Sequence, residues 1–285
     1  MKFRQFVPEY TAAKREAIWR RQRLDTDADY AQMEQMITEE EFIRNRRPFY
    51  RLYPGITEAL TKIGVEKHDV SRVRPPVNPL SLEFPVDRPL IAGTRKIVSI
   101  LFKEFEGKNS LFIEYLSHLD TYGVILFPRE NENIIRLLDK TPESEREGSK
   151  IILQIVFGVC MIPISDTSLI MPCVLNRDKE KFESTGDVKF VERARRNGVN
   201  GWDVGWDVPT EEEIKTLRQQ HGEPGRKSPH WRMGHFAIRH TGEGRSIPVI
   251  RWINEVFVNK NLLKEVPTGY HGASEESSKE TEDAV

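Results

Sequence analysis

Four of the five histidines in the last third of the chain gather within twenty positions, His221, His230, His235 and His240, and a metal site is the first chemistry they suggest. The spacing argues otherwise. The steps of five between His230, His235 and His240 turn successive residues about 140° apart on a helix and put neighbours on opposite faces of a strand. Cys160 and Cys173 lie far away in the apolar runs FGVCMIP and IMPCVL, so no mixed His/Cys set forms. The sequence therefore calls for no metal and no cofactor. His230 and His235 retain one catalytic use, because two imidazoles across a glycine bend can act as acid and base near neutral pH, as RNA cleavage requires.

A second foothold is Asp87, followed after an intervening strand by Glu106-Gly107-Lys108. An acid and then acid-x-Lys is a layout with which nucleases hold a divalent cation near the attacked phosphate. The pattern recurs at Asp187/Lys189 and Glu213/Lys215, as chance allows in a chain with 31% charged residues. No G-x-S-x-G elbow and no phosphate-cradling glycine loop follows a strand. His-Thr-Gly-Glu-Gly at His240 to Gly244 instead reads as a turn whose glycines supply positive φ. The cysteines, in apolar surroundings, read as two reduced core thiols.

The segment Arg226 to Arg251 is the densest chemistry. Arg226, Lys227, Arg232, Arg239, Arg245 and Arg251 face the single acid Glu243, with Trp231, Phe236 and Trp252 interleaved. Such a strip can hold an RNA backbone while its rings stack on bases. It can equally take an extended or acidic peptide, with guanidinium forks on carboxylates or carbonyls. It can also be a plain strand pair with aromatics inward and arginines in water.

The elements that must position these groups begin with helices. The first ~65 residues show apolar positions at helical intervals. Pro8 starts one helix through Trp19, and Thr26 or Asp27 caps a second, with Tyr30, Met33 and Ile37 on one face. Glu39, Glu40 and Glu41 meeting Arg44, Arg46 and Arg47 read as a solvated face with i,i+4 pairs. Pro54-Gly55 opens a shorter helix through Ile63. After RVRPPVNP the pattern turns to strands at Leu80 to Phe84, Lys96 to Phe102, Leu111 to Leu116, Tyr122 to Phe127 and Ile151 to Met161. A short turn at 107–110 pairs the second and third as a hairpin. The apolar IILQIVFGVCMIP reads as a central strand covered on both faces, and TPESEREGSK before it as a surface loop.

The repeated Gly-Trp-Asp-Val at Gly201 and Gly205 reads as a bend whose tryptophans dock on the core. Thr210 with Glu213 forms a capping box for a helix over Glu211 to Gln220. These readings divide the chain into a helical region (1–66), a β-rich core (67–180), an irregular connection with a short helix (181–225), the basic and aromatic motif (226–270) and an acidic tail (271–285) expected to be disordered. The implied fold class is α+β, an N-terminal helical layer packed on a mostly antiparallel sheet, with a C-terminal β-hairpin motif joined to that sheet.

With 285 residues and 43 Lys and Arg against 44 Asp and Glu, a globally polycationic nucleic-acid coat is excluded. No apolar run approaches a membrane span and no signal-peptide core opens the chain, so a cytoplasmic protein without membrane partners is expected.

Pro229-His230-Trp231-Arg232-Met233-Gly234-His235-Phe236, then Gly242-Glu243-Gly244, Arg251-Trp252 and Phe257-Val258-Asn259, resemble the C-terminal motif of a type V-A anti-CRISPR family carried by phages and other mobile elements. Met233 stands where that motif usually has arginine, and Asn254-Glu255 where a proline is common. The resemblance implies a non-enzymatic protein in the bacterial host cell. It would lower production of the type V effector nuclease by recognising its nascent N-terminal peptide during translation and promoting loss of its mRNA, with ribosome and mRNA as further partners. His230, Arg232, Gly234, His235, Arg251 and Trp252 are then the expected binding residues. The alternatives are an RNA-binding or RNA-cleaving protein using His230 and His235, and a structural phage protein. Oligomeric state is not legible.

Overall fold

The computed structural model describes residues 1–20, 27–105, 110–128, 134–163, 169–173, 181, 184–187, 189, 200–221, 230–232, 234–253 and 256–258. The chain divides into two compact units, one of residues 1–216 and 236–251, the other of residues 217–235 and 252–285.

The larger unit is built on an eight-stranded sheet. Its strands are β1 (Phe49–Leu52), β2 (Leu80–Glu83), β3 (Leu90–Ala92), β4 (Arg95–Phe105), β5 (Ser110–Ser117), β6 (Tyr122–Pro128), β7 (Ile170–Pro172) and β8 (Gly201–Val204). The order is β6-β5-β4-β2-β1-β8-β7, with β3 also pairing β4. Most neighbours are antiparallel, as expected, and β4 and β5 form the expected hairpin. At the centre, β1 pairs in parallel with both β2 and β8.

Strand alternation assigns the two faces. One carries Tyr50, Leu52, Leu80, Leu82, Ile100, Phe102, Ile113 and Val204, all buried and apolar or aromatic. The helices α3 (Pro54–Lys62), α4 (Ile134–Lys140) and α5 (Glu143–Cys160) follow one another in the chain, and α3 and α5 cover this face, with Phe157 edge-on to Phe127 at 5.2 Å. The helices cross closely, because a side chain at Gly158 would come within 2.9 Å of Leu60. The opposite face carries Leu101 and Leu116, on which Phe6 and Phe42 pack with Val98. Phe42 belongs to α2 (Asp27–Arg44), and Phe6 to an extended N-terminal arm that bridges Phe3 to Pro85. Helices therefore lie on both faces of the sheet.

Several expectations are corrected. The run IILQIVFGVCMIP is not a central strand but the body of α5, and TPESEREGSK leads into and forms its first turns. A continuous apolar run cannot separate buried helix from buried strand by period. The 18-residue length decides it, with Glu143 and Glu145 favoured at the helix N-terminus. The first 65 residues are not all helical. Residues before Thr11 are extended, Thr11 caps α1 (Ala12–Trp19) in place of a start at Pro8, and Phe49–Leu52 is a strand. Gly201–Val204 is also a strand, not a bend, with Trp202 edge-on to Tyr50 at 5.5 Å. Trp206 of the second copy is 49% exposed and does not dock on the core.

The acidic run of α2 is only partly a solvated face. Glu40 pairs with Arg44 in water, but Glu39 is fully buried. It accepts hydrogen bonds from the Glu9 and Tyr10 backbone N–H at 2.8 and 3.0 Å, fastening the arm to the helix. Beside it Glu114 of β5, also buried, accepts from Gln35 at 2.6 Å. The Thr210–Glu213 box forms as expected at the start of α6 (Glu211–His221), with Thr210 N–H donating to the Glu213 carboxylate at 2.7 Å. Neither cysteine is in a disulfide, and Cys173 is buried and Cys160 partly so. The acidic tail and Glu106 to Lys108 lie outside the described residues. Among the described residues no helix is long and apolar enough to cross a membrane.

Candidate functional site

The C-terminal strands are β9 (His230–Arg232), β10 (His235–Thr241), β11 (Ile247–Ile253) and β12 (Val256–Val258). They form two separate two-stranded ribbons, β10 with β11 and β12 with β9. The expected hairpin exists, but it is not hydrogen-bonded into the large sheet as expected. The turn between β10 and β11 contains Gly242 and Gly244 at φ 76° and 63°, the left-handed region that glycine enters without steric cost.

Within the larger unit the hairpin is tied down at three points. Ile250 N–H donates to the Met161 carbonyl at the end of α5 at 2.9 Å. Arg72 donates to Ser246 Oγ at 2.6 Å. The His240 ring lies 5.2 Å from that of His68, whose pKa is lowered first by burial and then by His240. The anchors fall on β11, the turn and β10, and Arg239, Arg245 and Arg251 stay exposed. Among the described residues β10 pairs with β11 alone.

In the smaller unit β9 and β12 pair antiparallel, with His230 opposite Val258, Trp231 opposite Phe257 and Arg232 opposite Val256. Two motif segments separated in sequence are thus partners in one ribbon. Gly234 is required where it stands, since a Cβ there would lie 2.3 Å from the Trp252 ring. His235 is exposed. Of the six expected residues, Gly234 and Trp252 are in contact, Arg251 belongs to the larger unit, and the side chains of His230 and Arg232 lie outside the described set.

Sequence reasoning missed a buried ionisable centre on the arm-and-α2 face of the large sheet. Arg51 lies in register with Glu83 on one side and Asp203 on the other. Arg51 Nε is 3.5 Å from the Glu83 carboxylate, and its Nη1 donates to Cys173 Sγ at 2.8 Å. The guanidinium also lies over the rings of Phe3 and Phe49 at 5.5 and 5.2 Å. Burial pushes Glu83 up to about 7, against the pull of Arg51 and with a further push from Asp203. The legible signal was a shared alternation, F-Y-R-L, L-S-L-E and G-W-D-V, each with its ionisable residue among apolar neighbours.

The larger unit is an α+β body with helices on both faces of a mixed sheet. The chain belongs to the anti-CRISPR type V subtype A2 family, whose model matches residues 16–260, and it is at that level a phage anti-CRISPR protein. Among solved structures it is similar to that described as the crystal structure of AcrVA2, with 16% identity, a TM-score of 0.42, and coverage of 76% of this chain and 73% of that one. No curated protein matches.

Proposed function

We propose that this anti-CRISPR protein acts by binding an extended peptide, the nascent chain of a host defence nuclease, and thereby represses its synthesis. The observation that supports this reading is that β10, among the described residues, has β11 as its one strand partner and lies beside the exposed Arg239, Arg245 and Arg251. An unpaired strand edge offers a row of main-chain donors and acceptors to an incoming strand. Guanidiniums alongside supply charge-assisted bonds to peptide carboxylates and draw in nearby RNA phosphates. Family membership supplies the context of defence antagonism.

The test is ribosome co-sedimentation of a tagged copy from cells carrying the nuclease, with sequencing of the associated nascent chains. Wild-type protein enriches ribosomes translating the target, and Arg232→Ala and Arg239→Ala variants with unchanged melting temperature lose that enrichment. Absence of both ribosome and peptide enrichment overturns the reading. Incubation with labelled RNA separates the alternative: RNA stays intact under this proposal, whereas cleavage abolished by His235→Ala favours an RNA-cleaving protein.

A further inference from the structure

We propose that His68 and His240 form a binding site for a divalent late transition-metal ion, zinc above all, at the seam where the C-terminal hairpin meets the body of the larger unit. His68 caps the 3-10 turn Val65–Lys67 that follows α3, and His240 stands near the end of β10. Both belong to the larger unit. They are far apart in the chain, so the five-residue spacing of His230, His235 and His240 is silent on this pair.

The geometry fits a shared ion. Two imidazoles on one tetrahedral zinc, each nitrogen about 2.0–2.1 Å from the metal, hold their ring centres about 5 Å apart. Here the centres are 5.2 Å apart and the planes are tilted by 44°. That tilt is neither the parallel offset stack nor the edge-to-face contact that aromatic packing favours. Among the described residues no hydrogen bond engages either ring, which leaves nitrogen lone pairs for a metal to use.

Charge and access suit ligation as well. A metal takes neutral imidazole. His68 gives up its proton more readily than an ordinary histidine, first through burial and then through His240, with Glu66 opposing and Lys67 adding a smaller push. Glu66, held by Gln154 at 2.7 Å, sets a carboxylate near the pair that offsets Lys67. His240 is exposed, so an ion reaches it from water. Among the described residues no third histidine, cysteine or carboxylate completes a metal-holding group, so water fills the remaining positions. Bound there, the ion bridges two distant segments and adds its binding energy to the hold that Arg72 and Ser246 already give the hairpin.

The site is independent of the peptide reading, and zinc alone tests it. Calorimetric titration of the untagged full chain with zinc chloride, after EDTA treatment and removal of the chelator, should show a saturable site. His68→Asn and His240→Asn should each weaken it by about tenfold or more, and His235→Asn should leave it intact. Zinc should raise the thermal midpoint of the wild-type chain and slow amide exchange in β10 and β11, and do neither in His240→Asn. In the wild-type chain the ring-proton resonances of His68 and His240 should move first as zinc is added, a readout that does not depend on how any variant folds. No saturable zinc binding overturns the site. So does affinity unchanged in both His68→Asn and His240→Asn, or zinc moving other histidine resonances while these two stay still.

Discussion

Glu39 of α2 and Glu114 of β5 set their carboxyl groups against each other inside the larger unit. Among the described residues Glu114 Oε2 has no hydrogen-bond partner. Burial, then the neighbouring Glu39, push Glu114 up to about 9, and burial raises Glu39 as well. Both groups hold protons more tightly folded than unfolded. The stability they confer is therefore complete below the ordinary carboxylate range and declines as pH rises from about 4.5 towards 9. Denaturation midpoints measured from pH 5 to pH 9 should fall with a slope of up to about 1.4 kcal/mol per pH unit. Glu114→Gln, which keeps the shape without the charge, should flatten that decline.

The same pair anchors the arm, because Glu39 accepts from the Glu9 and Tyr10 amides. Glu39→Ala leaves two backbone donors without their acceptor, at a cost of about 1–3 kcal/mol each if they stay buried. Amide hydrogen exchange is expected to accelerate at Glu9 and Tyr10 before the rest of the larger unit.

Arg51 pairs with the buried Glu83. Arg51→Ala should destabilise the larger unit by about 3–5 kcal/mol, because buried Glu83 would lose its cation while Asp203 still pushes on it. Since Glu83 sits near 7, the loss should be greater at pH 8 than at pH 5.5, and urea denaturation at the two values measures the difference. Glu83→Gln in the Arg51→Ala background should recover part of it.

Gly234→Ala drives a methyl group into Trp252 and should cost about 1–3 kcal/mol as an overpacked contact. Near-UV circular dichroism in the tryptophan region reports it. By contrast Thr210→Ala removes a cap and should cost about 1 kcal/mol in a reversible melt.

Local chemistry was the legible part of this sequence. The Thr210–Glu213 box, the β4–β5 hairpin and the Gly242/Gly244 turn each depend on residues a few positions apart. The α5 segment was misread because apolar content alone does not reveal period, and Glu39 because its partners Glu9 and Glu114 lie far away in the chain. The Arg51 centre was hidden for a related reason. Its members sit on three four-residue strands, too short to be distinctive singly, and only their pairing makes an ion cluster of them.

The parallel pairing of β1 with β8 bears on how the molecule comes into being. Phe49 to Leu52 emerge early in synthesis, yet one flank of that strand stays bare until Gly201 to Val204 have been made. Long-range closure of this kind is slow, because a large loop must be ordered before its contacts form. The N-terminal portion must therefore leave the ribosome with its Arg51 flank unfinished, and the last layer settles only late in translation.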